Sequence, residues 1–138
     1  MPNDFALDPR LTAESHPIGD LGLCRVLLFD DARFPWIVLV PRRARLVEIT
    51  DLPVPDRHRL LDEIGIAMEA LKAATAPYKL NVAALGNSVR QLHVHIIARF
   101  EGDAAWPSPV WGRGERVPYK SGAADAFKTK LRAGLGLG

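Results

Sequence analysis

Residues 91–99 read Gln91-Leu92-His93-Val94-His95-Ile96-Ile97-Ala98-Arg99, and their alternation organises the reading of the whole chain. In an extended strand successive side chains point to opposite faces. Leu92, Val94, Ile96 and Ala98 then share one face, which is wholly apolar and must look into a core. Gln91, His93 and His95 share the other face. The two imidazoles are expected roughly 6.5–7 Å apart along the strand. The chain has four histidines, and two of them fall within three positions.

Working outward, Gly86-Asn87-Ser88 supplies a turn, and Lys79 to Leu85 reads as the strand before it. Upstream, Leu60, Ile64, Ala67, Met68 and Leu71 recur at spacings of three and four, which predicts a helix over 56–75. Asp56 is placed to cap it, Gly65 to mark close packing against a neighbour, and Pro77 to stop it. Before the helix, Leu23 to Phe29 and Trp36 to Val40 are two apolar strand-length runs joined by a short polar loop. So short a connection predicts an antiparallel hairpin, because parallel pairing needs a far longer crossover. Residues 1–20 read as a lead-in with one helical turn around Phe5 to Leu11. Residues 101–120 hold Trp106, Trp111, three prolines and three glycines, an ordered but irregular extension, and Ala123 to Leu131 predicts a short final helix. The order strand, strand, helix, strand, strand is that of an α+β domain, an antiparallel sheet with one long helix packed on it.

Composition sets the bounds. A chain of 138 residues fits one domain spanning 1–138, with a core over about 20–100, the lead-in over 1–20 and the extension over 101–138. Apolar residues at 48% and charged residues at 25% are those of an ordinary globular protein. A formal net charge of +2 gives no reason to expect nucleic acid as a partner. The local surplus after Val110, six Lys/Arg against two acids, lacks the interleaved aromatics of a base-stacking surface. Cys24 is the single cysteine, which excludes an intrachain disulfide, and it reads as a buried strand residue. No apolar run approaches the roughly 18–20 residues of a membrane span. Met1 to Phe5 lacks the basic start of a secretory signal, so the expected location is the cytoplasm.

For His93 and His95 three uses compete. They are satisfied structural histidines, or half of a metal site, or an imidazole nucleophile with its neighbour. A metal site needs a third ligand from Cys24, His16, His58 or a carboxylate, and no local spacing offers one, so none is expected. Trp36 reads as a core residue, Arg42 and Arg43 as a solvated basic patch, and His16 and His58 as surface residues.

The stretch from Gly86-Asn87-Ser88-Val89-Arg90 through Gln91-Leu92-His93-Val94-His95-Ile96-Ile97 to Arg99 resembles the signature of the histidine triad (HIT) superfamily. That signature is Gly-Gln-Ser/Thr-Val-x-His-φ-His-φ-His-φ-φ with φ apolar. Phe29-Asp30-Asp31, followed by Trp36-Ile37-Val38-Leu39-Val40-Pro41-Arg42, resembles the family's early hairpin. The resemblance covers roughly residues 20–100 and implies a HIT-like fold, an antiparallel sheet of about five strands with one long helix. It implies a homodimer that binds a nucleotide and acts at its α-phosphate without metal or other cofactor. By position, His93 is the nucleophile that forms a nucleotidyl-histidine, and His95 steadies the phosphate oxygens. Ser88, Asn87 and Gly86 are the phosphate-binding candidates, with Asn87 standing where glutamine is usual. Phe29 and Asp30, with Asp31 beside them, are the nucleoside-binding candidates, and Asn81 is the candidate for the asparagine the family carries before its glycine. The first triad histidine is Gln91, which hydrogen-bonds but cannot supply a proton. The implied activity is hydrolysis or transfer on a nucleoside phosphoramidate, a dinucleoside polyphosphate or a related nucleotidyl ester. The alternative is a nucleotide-binding module or sensor with little catalysis. The segment Trp106 to Gly112 either packs over its own sheet or reaches a partner subunit.

Overall fold

A computed structural model of the chain describes residues 4–138. Met1, Pro2 and Asn3, part of the stretch read above for a secretory signal, lie outside the described residues. The element order is α1 (Pro9–Ala13), β1 (Ser15–Asp20), β2 (Cys24–Phe29), β3 (Trp36–Pro41), a 3-10 turn (Ile49–Asp51), α2 (Val54–Thr75), β4 (Lys79–Ala83), β5 (Val94–Arg99) and α3 (Ala123–Leu135). The five strands form one sheet in the order β1-β2-β3-β5-β4, and every neighbouring pair is antiparallel. This is the α+β architecture expected from the HIT-like pattern.

Both faces of the sheet are covered. On one, Val26, Leu28, Ile37, Leu39, Val94, Ile96 and Ala98 pack against Leu60, Ala67 and Leu71 of α2 and Leu131 and Leu135 of α3. The apolar face read from 92–98 is therefore the helix side. On the other, Leu27, Trp36, Val38, Val40 and Ile97 meet Leu11 of the lead-in and Phe34, Ala105 and Val110. That second cover converts what the alternation presents as a polar face into a buried one: His93 is 6%, His95 7% and Arg99 1% exposed.

Several elements differ from the sequence reading, each for a local reason. The lead-in holds a strand, β1, disguised by Pro17 and Gly19, with the register slipping between those two residues. It lies at the sheet edge, where proline's missing N–H is tolerated. The helical turn falls at Pro9–Ala13 rather than Phe5 to Leu11, because Asp8 caps it through the Arg10 amide. Helix α2 begins at Val54 behind Pro53, so Asp56 sits in the first turn and accepts from Arg43 Nε instead of capping. Its far end is as expected, with Ala76 in the left-handed conformation ahead of Pro77. Gly65 meets nothing; the close approach between helices is at Gly134, where a Cβ would stand 2.9 Å from that of Ala70. Glu63 is buried because its carboxylate accepts from the Leu23 and Cys24 amides at 2.8 and 2.7 Å, pinning α2 to the start of β2. Burial pushes the Cys24 thiol well above its ordinary value, in keeping with a structural role.

Candidate functional site

Strand β5 begins at Val94, so residues 91–93, with a bend at Gln91, lead into the strand rather than form part of it. This breaks the simple alternation. His93 and His95 stay together, their ring centroids 4.8 Å apart at 69°, whereas the Gln91 side chain leaves them.

The two imidazoles have complementary partners. His93 Nδ1 lies 2.6 Å from the Gln91 main-chain oxygen. A carbonyl can only accept, so Nδ1 carries a hydrogen and, in the neutral ring, the lone pair is on Nε2. His95 Nδ1 lies 3.0 Å from Trp36 Nε1. An indole nitrogen can only donate, so His95 Nδ1 is the acceptor and its hydrogen is on Nε2. Burial, with the charge of His93 adding to it, pushes the His95 pKa down to about 3, so the ring is neutral at physiological pH. One histidine thus offers a lone pair and its neighbour an N–H.

Both rings line a cavity of about 350 Å³. Its apolar wall is aromatic: Phe29 lies 4.3 Å from Trp36, and Trp111 stands edge-on to Trp36 at 5.6 Å and to His95 at 5.1 Å. Its rim is the turn Gly86-Asn87-Ser88-Val89, joined by Arg10, Leu11 and Glu14 from the lead-in. Gly86 takes φ +71°, a left-handed backbone that glycine adopts without a Cβ clash, at the head of this turn. A second hollow bounded by Val47, Ile49 and Thr50 adjoins the cavity and shares Leu85, Gly86 and His93 with it. A HIT domain model matches residues 10–102, a stretch that holds this turn, both histidines and the whole sheet.

The chain belongs to the HIT-domain family. It is similar along almost its entire length to three solved HIT structures. A histidine triad protein of Bradyrhizobium japonicum is 47% identical, with 95% of this chain and 98% of that one covered and a TM-score of 0.93. One from Sinorhizobium meliloti is 45% identical over 95% and 97%, with a TM-score of 0.93. One from Marinobacter aquaeolei is 45% identical over 96% and 96%, also at 0.93. Among curated proteins none matches.

Against the HIT pattern, His93, His95, Ser88, Asn87, Gly86 and Phe29 converge on the cavity. Four candidates, Gln91, Asp30, Asp31 and Asn81, do not. Gln91 gives both ends of its amide to the lead-in, Nε2 donating to Ala6 O at 2.9 Å and Oε1 accepting from Asp8 N at 2.8 Å. Asp30 turns to the extension, accepting from Tyr119 N at 2.9 Å and Arg116 Nη1 at 3.2 Å, with His16 Nε2 at 2.9 Å. Burial opposes its charge, but these hydrogen bonds and the charges of His16 and Arg116 hold its carboxyl below the usual range. Asp31 is likewise taken, by Arg33 and Val117 N. Asn81 lies away from the turn and accepts from Arg99. Arg42 donates to the carbonyls of Leu21 and Gly22, and Arg43 to Asp56.

The cavity is also lined by Trp36, which reads from the sequence as a core residue, and by Trp111, from the segment expected either to pack over its own sheet or to reach a partner subunit. The register places Trp36 diagonally across from His95, since Trp36 pairs with Ile97 and Val38 with His95. Trp111 of the extension reaches its own chain's cavity. Among the described residues no three His, Cys, Asp or Glu side chains gather as a metal site, and no helix is long and apolar enough to cross a membrane.

Proposed function

We propose that the protein is a nucleotide-binding hydrolase or nucleotidyl transferase that works through a covalent nucleotidyl-histidine at His93. The observation that carries this reading is the pair of fixed tautomers, a lone pair at His93 Nε2 beside an N–H at His95 Nε2. His93 Nε2 attacks the α-phosphorus of a nucleoside phosphoramidate, a dinucleoside polyphosphate or a related nucleotidyl ester. A P–N bond to the ring forms as the bond to the leaving group breaks with its electron pair. Water or another acceptor then attacks the same phosphorus, the P–N bond breaks, and the imidazole is regenerated. Such chemistry asks for an in-line nucleophile and fixed donors around spreading negative charge. His95 Nε2–H, the Ser88 hydroxyl, Asn87 and the Gly86 turn supply the donors, and Phe29, Trp36 and Trp111 an aromatic wall for the base.

A homodimer belongs to this reading. β4 is a sheet edge, and the exposed Val82 on it and Leu85 beyond it give a second copy a strand to pair with. Sedimentation of wild type and Val82→Lys tests this, the variant being expected to run as a monomer.

The test of the chemistry is intact-protein mass spectrometry at neutral pH after mixing with adenosine phosphoramidate and, separately, diadenosine tetraphosphate. A transient gain of one nucleotide in wild type and none in His93→Ala supports the covalent route. Tight binding with neither adduct nor product would instead make the protein a nucleotide-binding module.

A further inference from the structure

We propose that Gln91 is a positioning residue: its side-chain amide docks residues 6–8 against the site and so brings Arg10 to the Gly86–Val89 turn, as the cation that meets a nucleotide's phosphate. The phosphate role rests on the reading above; the docking does not.

The argument starts from what an amide can satisfy. Gln91 Nε2 donates to Ala6 O at 2.9 Å, and Gln91 Oε1 accepts from Asp8 N at 2.8 Å. The two partners flank Leu7, so the side chain engages extended main chain as a neighbouring strand would. Both halves of the amide are thereby used. A carboxylate at this position keeps the acceptor but has nothing to give Ala6 O, and an imidazole's two nitrogens diverge from opposite sides of a ring. Glutamine is the residue that fits this pair of partners.

From Asp8 the connection continues. Its carboxylate accepts from the Arg10 amide at 2.8 Å and from Arg10 Nε and Nη2 at 3.3 and 3.1 Å, which fixes both the start of α1 and the guanidinium. Arg10 Nη1 in turn donates to Ser88 O at 2.8 Å, tying the lead-in to the turn that rims the cavity. Of the five guanidinium N–H groups these contacts occupy three, leaving two for a ligand. Arg10 is the one Arg or Lys among the described residues lining the cavity, and Glu14 is the one acid. The position that would hold the first triad histidine therefore acts on the phosphate turn through the lead-in, not on the reacting atoms.

The test uses the full chain as wild type, Gln91→Glu, Gln91→Ala, Gln91→His, Arg10→Ala and Arg10→Lys. Amide hydrogen exchange read by NMR reports docking without any need for turnover. Asp8 N–H is expected to exchange roughly 10-fold faster or more in each Gln91 variant, with the Ile96 amide of β5 unchanged. Binding of AMP and of adenosine is measured alongside. AMP affinity is expected to fall roughly 10-fold in Arg10→Ala and in the Gln91 variants, with partial recovery in Arg10→Lys and no change for adenosine. Unchanged Asp8 exchange overturns the docking. Unchanged AMP affinity in Arg10→Ala, with wild type binding AMP, overturns the phosphate role alone. Failure of wild type to bind AMP or adenosine overturns the nucleotide reading together with that role, while the exchange rates still decide the docking.

Discussion

Trp36 Nε1 donates to His95 Nδ1 across 3.0 Å of buried interior, and this one bond decides which nitrogen of His95 faces the cavity with a hydrogen. In metal sites the outer-shell partner fixes a histidine's tautomer from the opposite side, by accepting its N–H, and its loss typically costs 10–100-fold; here the partner fixes the tautomer by donating. Trp36→Phe keeps a ring against Phe29 and Trp111 but removes the donor. The expected result is a drop in kcat of about 10–100-fold, accompanied by a shift of His95 toward the Nδ1–H tautomer in long-range nitrogen–proton spectra. A variant with the wild-type tautomer and rate would remove Trp36 from the mechanism and return it to the core.

The same burial makes stability depend on pH. His95 has an ordinary value near 6.5 and is held at about 3 in the fold. Between those values the unfolded chain binds a proton that the folded chain refuses, so stability rises with pH there and falls on acidification. From pH 7.5 to 5 the loss amounts to about 2 kcal/mol. The carboxyls held low in the fold, among them Asp31 and Asp103, add their own losses only in the lower range where carboxylates titrate. Urea unfolding at pH 7.5 and pH 5 isolates the histidine when wild type is compared with His95→Gln, which still accepts from Trp36. The wild type should lose about 2 kcal/mol more than the variant over that interval; parallel losses would show that His95 protonates freely in the fold.

How much of this was legible in the sequence depended on whether a signal was local. Alternation at 92–98 located the helix-facing side of β5, and the apolar runs at 23–29 and 36–40 located β2 and β3, because those patterns need only neighbours along the chain. β1 was hidden since Pro17 and Gly19 erase strand propensity, and an edge strand can carry both. Gln91 could not be separated from His93 and His95 by counting, because the strand starts three residues after it. The Trp36–His95 bond depends on the register between β3 and β5, which no local pattern states. Asp30 was a reasonable choice for a ribose, but its partners lie 86 and 89 residues away in the extension.

Asp103 holds the beginning of that extension. Its carboxylate accepts from Arg99 Nε and Nη2 at 2.8 and 3.1 Å and from the amides of Phe100, Ala105 and Trp106 at 3.1, 3.0 and 2.7 Å. The Arg99 guanidinium lies 5.8 Å from the Phe34 ring centroid and 5.5 Å from that of Trp106, and it also donates to Asn81 and Ser108 O. Removing one partner of a buried pair leaves the other charge uncompensated, which costs about 3–5 kcal/mol. Asp103→Asn should be nearly as damaging as Asp103→Ala, since the Arg99 charge stays behind in both. Chemical denaturation of the two variants checks this; a loss below about 1 kcal/mol in either would mean that the site refills with water and the pair matters little.

Trp111 turns the extension from a cover into part of the site. It stands 5.1 Å from the His95 ring and 5.6 Å from Trp36, and the stretch that follows is tied down by Arg116, Val117 and Tyr119 on Asp30 and Asp31. An aromatic face so anchored offers a base a surface prepared before binding, and stacking of this kind is worth about 1–3 kcal/mol per base regardless of its identity. Trp111→Ala should therefore weaken AMP, GMP, CMP and UMP alike, by roughly 5–150-fold, since every base presents a π-face. Titration of wild type and variant with the four monophosphates distinguishes the possibilities. A loss confined to the purines would assign Trp111 to specificity, because larger rings would then be the ones that reach it. No loss for any of them would place the base elsewhere, against Phe29 and Val38 on the sheet, and leave Trp111 as packing for Trp36.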